Sequence, residues 1–351
     1  MSCTPHRIVA AALAASLHVA VHAQAPDASK VLADARAALG GETNLSAVKS
    51  FVATGRTRQV RGNNLVPIEF EINCELPDKF VRKDEIPAQD AEPTTLGFKG
   101  DELIQYPPPP AGRGPAPGPG RAAGPAAPSG APAGGPPAGG SPARGGQGRE
   151  GGGGRGGPPP NPAQQRLNTV KQDFVRLTLG VFAASFPTYP VTFKYAAQGQ
   201  APEGVADILD VAGPANFSAR LVVQRDTHLP VMLMWQVPAT NVVMRVPGQP
   251  APENVPPGSV IVEAPAAPAA TATEEERNQY AAGVATLRRE ALAKAKPVEY
   301  RMYYADYRDV NGIKWPFRLR RAIAGETVEE TTFDRIRINA KIDPRKFEAP
   351  K

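Results

Sequence analysis

The last fifty residues constrain the fold most. From Val298 the chain reads VEYRMYYADYRDV, then NG, then IKWPFRLRRAIAG and ETVEETTFDRIRI. Tyr300, Met302 and Tyr304 alternate with Glu299, Arg301 and Tyr303, the period of a strand with one dry face. Asn311-Gly312 supplies the two residues that a tight hairpin turn needs at positive φ. Ile313, Trp315, Phe317 and Leu319 then alternate with Lys314, Arg318 and Arg320 on the return. A third strand follows Gly325, with Thr331, Phe333 and Arg335 expected on one face and Val328, Thr332 and Ile336 on the other. The end of the chain is therefore an antiparallel meander that needs pairing and cover. It is expected to form the closing edge of a sheet, because Pro316 cannot donate to a ladder and reads as an edge or a bulge.

The rest of the chain supplies partners. Asp27 or Ser29 caps a helix whose stripe is Val31, Leu32, Ala35 and Leu39, and Gly40-Gly41 ends it. Strands follow at FVATGRTRQV and Pro67 to Glu75, and Leu76-Pro77-Asp78 breaks the second. KFVRKDEI resumes an extended run, and a hairpin is expected around Gly100-Asp101. Asn161-Pro162 opens a second helix with the stripe Leu167, Val170, Phe174, Leu177 and Val181, expected to end near Phe186-Pro187. YPVTFKYA, VADILDVA, FSARLVVQRD and VMLMWQV read as strands. Thr273 to Glu276 is a capping box opening a third helix, with the stripe Tyr280, Val284, Leu287 and Ala291. Nine to eleven strands and three helices predict an α+β domain: a curved antiparallel sheet, an unclosed half-barrel, covered on one face by amphipathic helices.

Composition divides the chain further. Residues 1–23 read as a signal peptide: Arg7, an apolar run from Ile8 to Val21 too short to span a bilayer, and cleavage after Ala23. This predicts export to the periplasm. Residues 107–160 are proline, glycine, alanine and arginine with no aromatic residue, which predicts a disordered insertion between two parts of one domain, 24–106 and 161–351. Residues 249–270 read as a second Pro/Ala-rich loop. The formal charge is +6, but much of it sits in the insertion at Arg113, Arg121, Arg144, Arg149 and Arg155. The folded parts are then near neutral, and no nucleic-acid partner is expected.

Catalytic chemistry finds little support. His228 lies in a turn sequence, RDTHLP, and no zinc-ligand cluster, HExxH or nucleophile elbow is present. Asp207 with Asp210, and Glu329 with Glu330, point to opposite sides of a strand and do not converge. Cys74 falls in the alternating run Ile68, Phe70, Ile72, Cys74 and reads as a small apolar sheet residue. No catalytic residue, metal or cofactor is expected, and the chain reads as a non-enzyme. Met232, Met234, Trp235, Met302 and Trp315 stand out instead, because Met and aromatic side chains line adaptable apolar cavities.

Three stretches resemble the periplasmic lipoprotein-carrier, LolA-like family and its outer-membrane lipoprotein-sorting relatives. They are LPDKFVRKDEI, TTLGFKGDELIQYPP and the closing meander with its Ile342-Asp343-Pro344 and Phe347-Glu348-Ala349-Pro350 ending. The resemblance implies a half-barrel with a helical lid over an apolar cavity that shields acyl chains. The expected partners are a lipid or an acylated protein, together with a membrane or envelope protein. The cavity residues expected are Phe70, Ile72, Phe98, Phe193, Leu221, Met232, Met234, Met302, Tyr304, Trp315 and Phe317. One departure is visible: the family's lid-latching arginine before the turn proline is Leu76 here. Arg56 and Arg58 are the candidates to replace it. An alternative reading is an envelope sensor or scaffold that uses the same fold for protein contact.

Overall fold

The computed structural model describes residues 27–108 and 161–348, apart from 88, 90, 202, 203, 251 and 253. The expectations for the signal peptide and for most of the insertion fall outside these residues.

Two helices open the described chain, α1 (Ala28–Leu39) and the short α2 (Glu42–Ser46). Asp27 caps α1 by accepting from the Ser29 N–H. Five strands follow: β1 (Ser50–Arg61), β2 (Asn64–Glu75), β3 (Lys79–Glu85), β4 (Thr94–Lys99) and β5 (Glu102–Tyr106). Next come α3 (Pro162–Phe182), β6 (Thr192–Ala201), β7 (Gly204–Gly213), β8 (Phe217–Gln224) and β9 (Pro230–Val237). The chain then forms β10 (Val242–Arg245), β11 (Val260–Glu263) and α4 (Glu274–Lys294). It ends in β12 (Val298–Val310), β13 (Ile313–Ile323), β14 (Glu326–Ile338) and a 3-10 turn at Pro344–Phe347.

Twelve strands make one sheet in the order β5-β4-β3-β2-β1-β14-β13-β12-β9-β8-β7-β6, and every neighbouring pair is antiparallel. Its edges, β5 and β6, do not pair, so the sheet stays open. The meander β12–β14 is not a closing edge: it lies mid-sheet, between β1 and β9. The arms on either side come from the chain before and after α3.

Pro316 fits this place locally. β13 pairs with β12 along its length, but its register with β14 begins only at Arg318. The proline therefore sits where one flank of β13 is unpaired, and its missing N–H costs no ladder bond.

Two further expectations are corrected. The helix of the second stripe stops at Phe182, four residues early, because Ala183 takes a left-handed conformation (φ 46°). The third helix does not cover the sheet. Its capping box between Thr273 and Glu276 forms, but α4 buries no residue and packs on the small parallel pair β10–β11. That pair places a strand, β11, inside the stretch read as loop.

The main core lies on the face of the sheet covered by α1 and α3. It joins Val31, Ala35 and Leu39 of α1 and Leu167, Val170, Phe174 and Phe182 of α3 to the inward residues of the strands. On the opposite face, Ile342 and Phe347 of the C-terminal segment cover Val52, Val81 and Ile104.

Candidate functional site

The candidate site is the helix-covered face beneath α3. The segment FVRLTLGVF is almost wholly buried, from Phe174 to Phe182. A helix that is apolar all round must be enclosed. α3 spans the sheet, touching β4 and β5 of one arm, β13 at the centre and β9 of the other arm. Its Phe174 ring packs on Phe80, Phe98 and Phe186, and its Phe182 ring on Phe186 and Trp315. Trp315 is fully buried, lies edge-on to Phe51, and its Nε1 has no acceptor among the described residues.

Nine of the eleven residues expected to line a cavity come together on this face. Phe70, Ile72, Phe98, Leu221, Met302, Tyr304, Trp315 and Phe317 are buried in its core, and Phe193 on the edge strand packs against it half-exposed. Met232 and Met234 do not join them. They lie on the opposite face, with Ala206, Val222, Val231 and Tyr303. The reason is alternation: Leu233 and Trp235 take the inward positions of β9, and an adjacent Met-Trp pair cannot share a face.

Polar groups hold α3 in place, and most of them act on its backbone carbonyls. Tyr304 donates its hydroxyl to the Arg176 carbonyl (2.5 Å), and Tyr307 donates to the Gly180 carbonyl (2.8 Å) and to that of Pro230 (2.7 Å). Three residues apart, these two tyrosines would face opposite ways in a regular strand. Asp306 between them takes a left-handed backbone (φ 56°), which re-aims β12 so that both reach the helix. Burial pushes both hydroxyls well above the usual tyrosine range, so they remain donors at any working pH. Arg36 of α1 donates to the Phe182 carbonyl (2.9 Å) at the helix C-terminus, where a cation also meets the helix dipole. Glu42 orients that guanidinium at 2.6 Å.

Two cations on α3 are themselves buried. Lys171 has a side chain 8% exposed and reaches the open carboxylate of Asp101, 96% exposed, at 2.7 Å. Its ammonium hydrogen bond holds the Asp101 carboxyl below the usual range. Arg176 pairs with Asp173 at 2.7 Å and lies over the rings of Trp235 and Phe217. Nearby on the sheet, Arg82 bonds Asp84 and Thr57 and stacks on Phe70. Burial works against the charge of Arg82, but Asp84, Glu329 and Asp173 outweigh it and hold the guanidinium raised.

Sequence reasoning missed Arg36, Lys171, Arg176 and Tyr307. The signal available was the single arginine inside an apolar run on α3, since a buried charge needs partners. Leu76 packs half-buried against the core, so no latch stands before the turn proline. Arg56 and Arg58 cannot take its place: they are exposed on the opposite face, where Arg56 pairs with Asp334. Cys74 is buried in the core, and burial pushes its thiol well above the usual range. His228 sits in the β8–β9 turn at φ 57°. No group of His, Cys, Asp and Glu among the described residues could hold a metal ion, and no described helix is long and apolar enough to cross a membrane.

No family model matches the chain, and no curated protein matches it. Among solved structures, a LolA superfamily protein from Nitrosomonas europaea aligns at 9% identity and a TM-score of 0.44, over 92% of this chain and 98% of its own. The chain is similar in structure to LolA superfamily proteins. A Vibrio parahaemolyticus domain described as an outer membrane lipoprotein-sorting protein aligns at 7% identity and 0.44, over 91% and 97% of the two chains. A DUF1329 family protein from Desulfovibrio piger aligns at 6% and 0.37, over 92% and 98%.

Proposed function

We propose that this protein is a non-catalytic, exported carrier of a hydrophobic ligand, taking an acyl chain between α3 and the sheet face beneath it. The observation that carries this reading is how α3 is attached. It seals an interior of aromatic, leucine and methionine side chains, yet Tyr304 holds it through the Arg176 carbonyl, which also belongs to the helix's own ladder, while Tyr307 and Arg36 bind last-turn carbonyls that have no partner within the helix. Releasing the Tyr304 bond costs about 0.5–1.5 kcal/mol, because the Arg176 carbonyl keeps its intrahelical partner. A ten-methylene chain gains roughly 8 kcal/mol on burial at about 0.8 kcal/mol per CH₂. Ligand entry can therefore replace the apolar contacts that α3 gives up. The buried Trp315 N–H supports the reading, as a donor positioned for an ester or amide carbonyl.

One observation favours the second reading, a scaffold or sensor that contacts another protein. Trp315, Phe98 and Leu221 are fully buried, so in this state side chains fill the interior. Native mass spectrometry of the protein purified from its own cell envelope separates the two. A co-purifying lipid or acylated peptide is expected. An empty protein that travels with a protein partner would favour the scaffold and contradict the carrier.

A further inference from the structure

The face of the sheet opposite α3 carries a feature that the carrier reading does not use. Two cross-strand rows lie side by side there. One runs Arg318, Thr332, Arg56 across β13, β14 and β1; the next runs Arg320, Glu330, Arg58 across the same strands. All six side chains are exposed. Strands stand about 4.8 Å apart and alternate residues about 6.8 Å apart, so the four arginines mark a rectangle of roughly 10 by 7 Å. A cleft of about 260 Å³ opens among Arg56, Arg58, Arg318, Glu330 and Thr332.

The charges are only partly matched. Arg56 has Asp334 at 3.2 Å, and Arg320 lies over the Tyr303 ring at 4.3 Å. Arg58 and Arg318 make no ion pair among the described residues. Guanidinium forks match phosphate oxygens in pairs, and the Thr332 hydroxyl stands between Arg56 and Arg318 as a further donor.

Beside this cleft is a second, of about 210 Å³, that shares Arg318 and Glu330 and is otherwise lined by Val231, Tyr303, Tyr304, Ala305 and Arg320. Its apolar side is the half-buried Val231 and Tyr303, which with Met234 pack over the buried Met232 and Val222. Cationic forks next to an apolar shelf complement one kind of occupant, an anionic amphiphile with its phosphate at the arginines.

We propose that this face docks on a membrane surface by binding the phosphate of an anionic phospholipid headgroup between Arg58 and Arg318. The inference does not depend on the interior site, since the two lie on opposite faces of the sheet. Docking would leave the α3 side turned away from the bilayer.

Vesicle co-sedimentation of the full chain tests it, with phosphatidylcholine vesicles and with the same vesicles carrying phosphatidylglycerol. Binding is expected only to the anionic vesicles. The double variant Arg58→Gln/Arg318→Gln should lose roughly thirtyfold in affinity, from the usual contribution of two arginines near an anionic surface. Arg288→Gln/Arg289→Gln on the exposed α4 should lose little, and both variants should keep the parent urea midpoint. Equal losses in the two double variants would reduce the effect to net charge and overturn the site. Absence of vesicle binding would overturn the docking. Inorganic phosphate that displaces the protein at micromolar concentration would make the ligand free phosphate rather than a lipid, and would overturn the membrane assignment.

Discussion

Gly180 shows how closely α3 meets the sheet. A Cβ added there would stand 2.4 Å from two ring atoms of Tyr304, and that ring is buried and fixed by its own hydroxyl. Gly180→Val should therefore cost roughly 3 kcal/mol, the upper end for overpacking a filled core. Gly283 on α4 has nothing within 4 Å of the same added atom. Gly283→Ala should instead add up to about 1 kcal/mol to helix stability, the ordinary gain of removing a helix-interior glycine. Urea denaturation followed by circular dichroism reads both, and the signs should be opposite. Cys74 gives a second check. Its buried thiol should resist alkylation in the native protein and react fully in urea; rapid native labelling would contradict its place in the core.

At the scale of elements, helix attachment depends on charge at one identifiable place. The Lys171 ammonium holds the Asp101 carboxyl below an unfolded value of about 3.9. A depressed folded value gives stability that is present above the unfolded value and lost as pH falls through the folded one. The stability difference between the parent and Asp101→Asn should thus be present at pH 7 and shrink as pH falls below the unfolded value, measured by urea denaturation across that range. A difference that did not change with pH would mean that the bridge is not its source.

Alternation placed Trp315 and Phe317 together on the inner face, and the Thr273 capping box was legible in full. Two irregularities were not. Arg335 was expected beside Phe333, but an extra residue, Asp334, enters β14 where the register with β1 shifts between Thr54 and Gly55. Ile336 therefore turns inward and Arg335 outward. Asp306 turns β12 locally through its left-handed backbone, without shifting the register with β13. Bulges depend on what the partner strand needs, so a single strand's pattern does not announce them. Lys171 was hidden for a related reason, since its partner Asp101 comes from the β4–β5 turn, far away in sequence, whereas Arg176 has its carboxylate three residues before it on the same helix.

At the scale of the molecule, the meander matters through where it lies. β14 pairs with β1 on one side and β13 on the other, so one C-terminal strand joins the two arms of the sheet. Ending the chain before Gly325 should remove cooperative unfolding altogether rather than trim an edge, as read by differential scanning calorimetry. The central position was not visible in the sequence, because strand order is set by which apolar faces α1 and α3 can cover together.

The carrier reading turns on whether an acyl chain reaches the face beneath α3. Trp235 and Trp315, the two tryptophans of the chain, both lie in that core, so Trp235→Phe leaves Trp315 as a single reporter there. Titration of that variant with a fatty acid carrying a nitroxide quencher along its chain tests the point directly. Saturable quenching of Trp315 fluorescence is predicted, relieved by an excess of unlabelled fatty acid. Undiminished Trp315 fluorescence at saturating fatty acid would contradict the account.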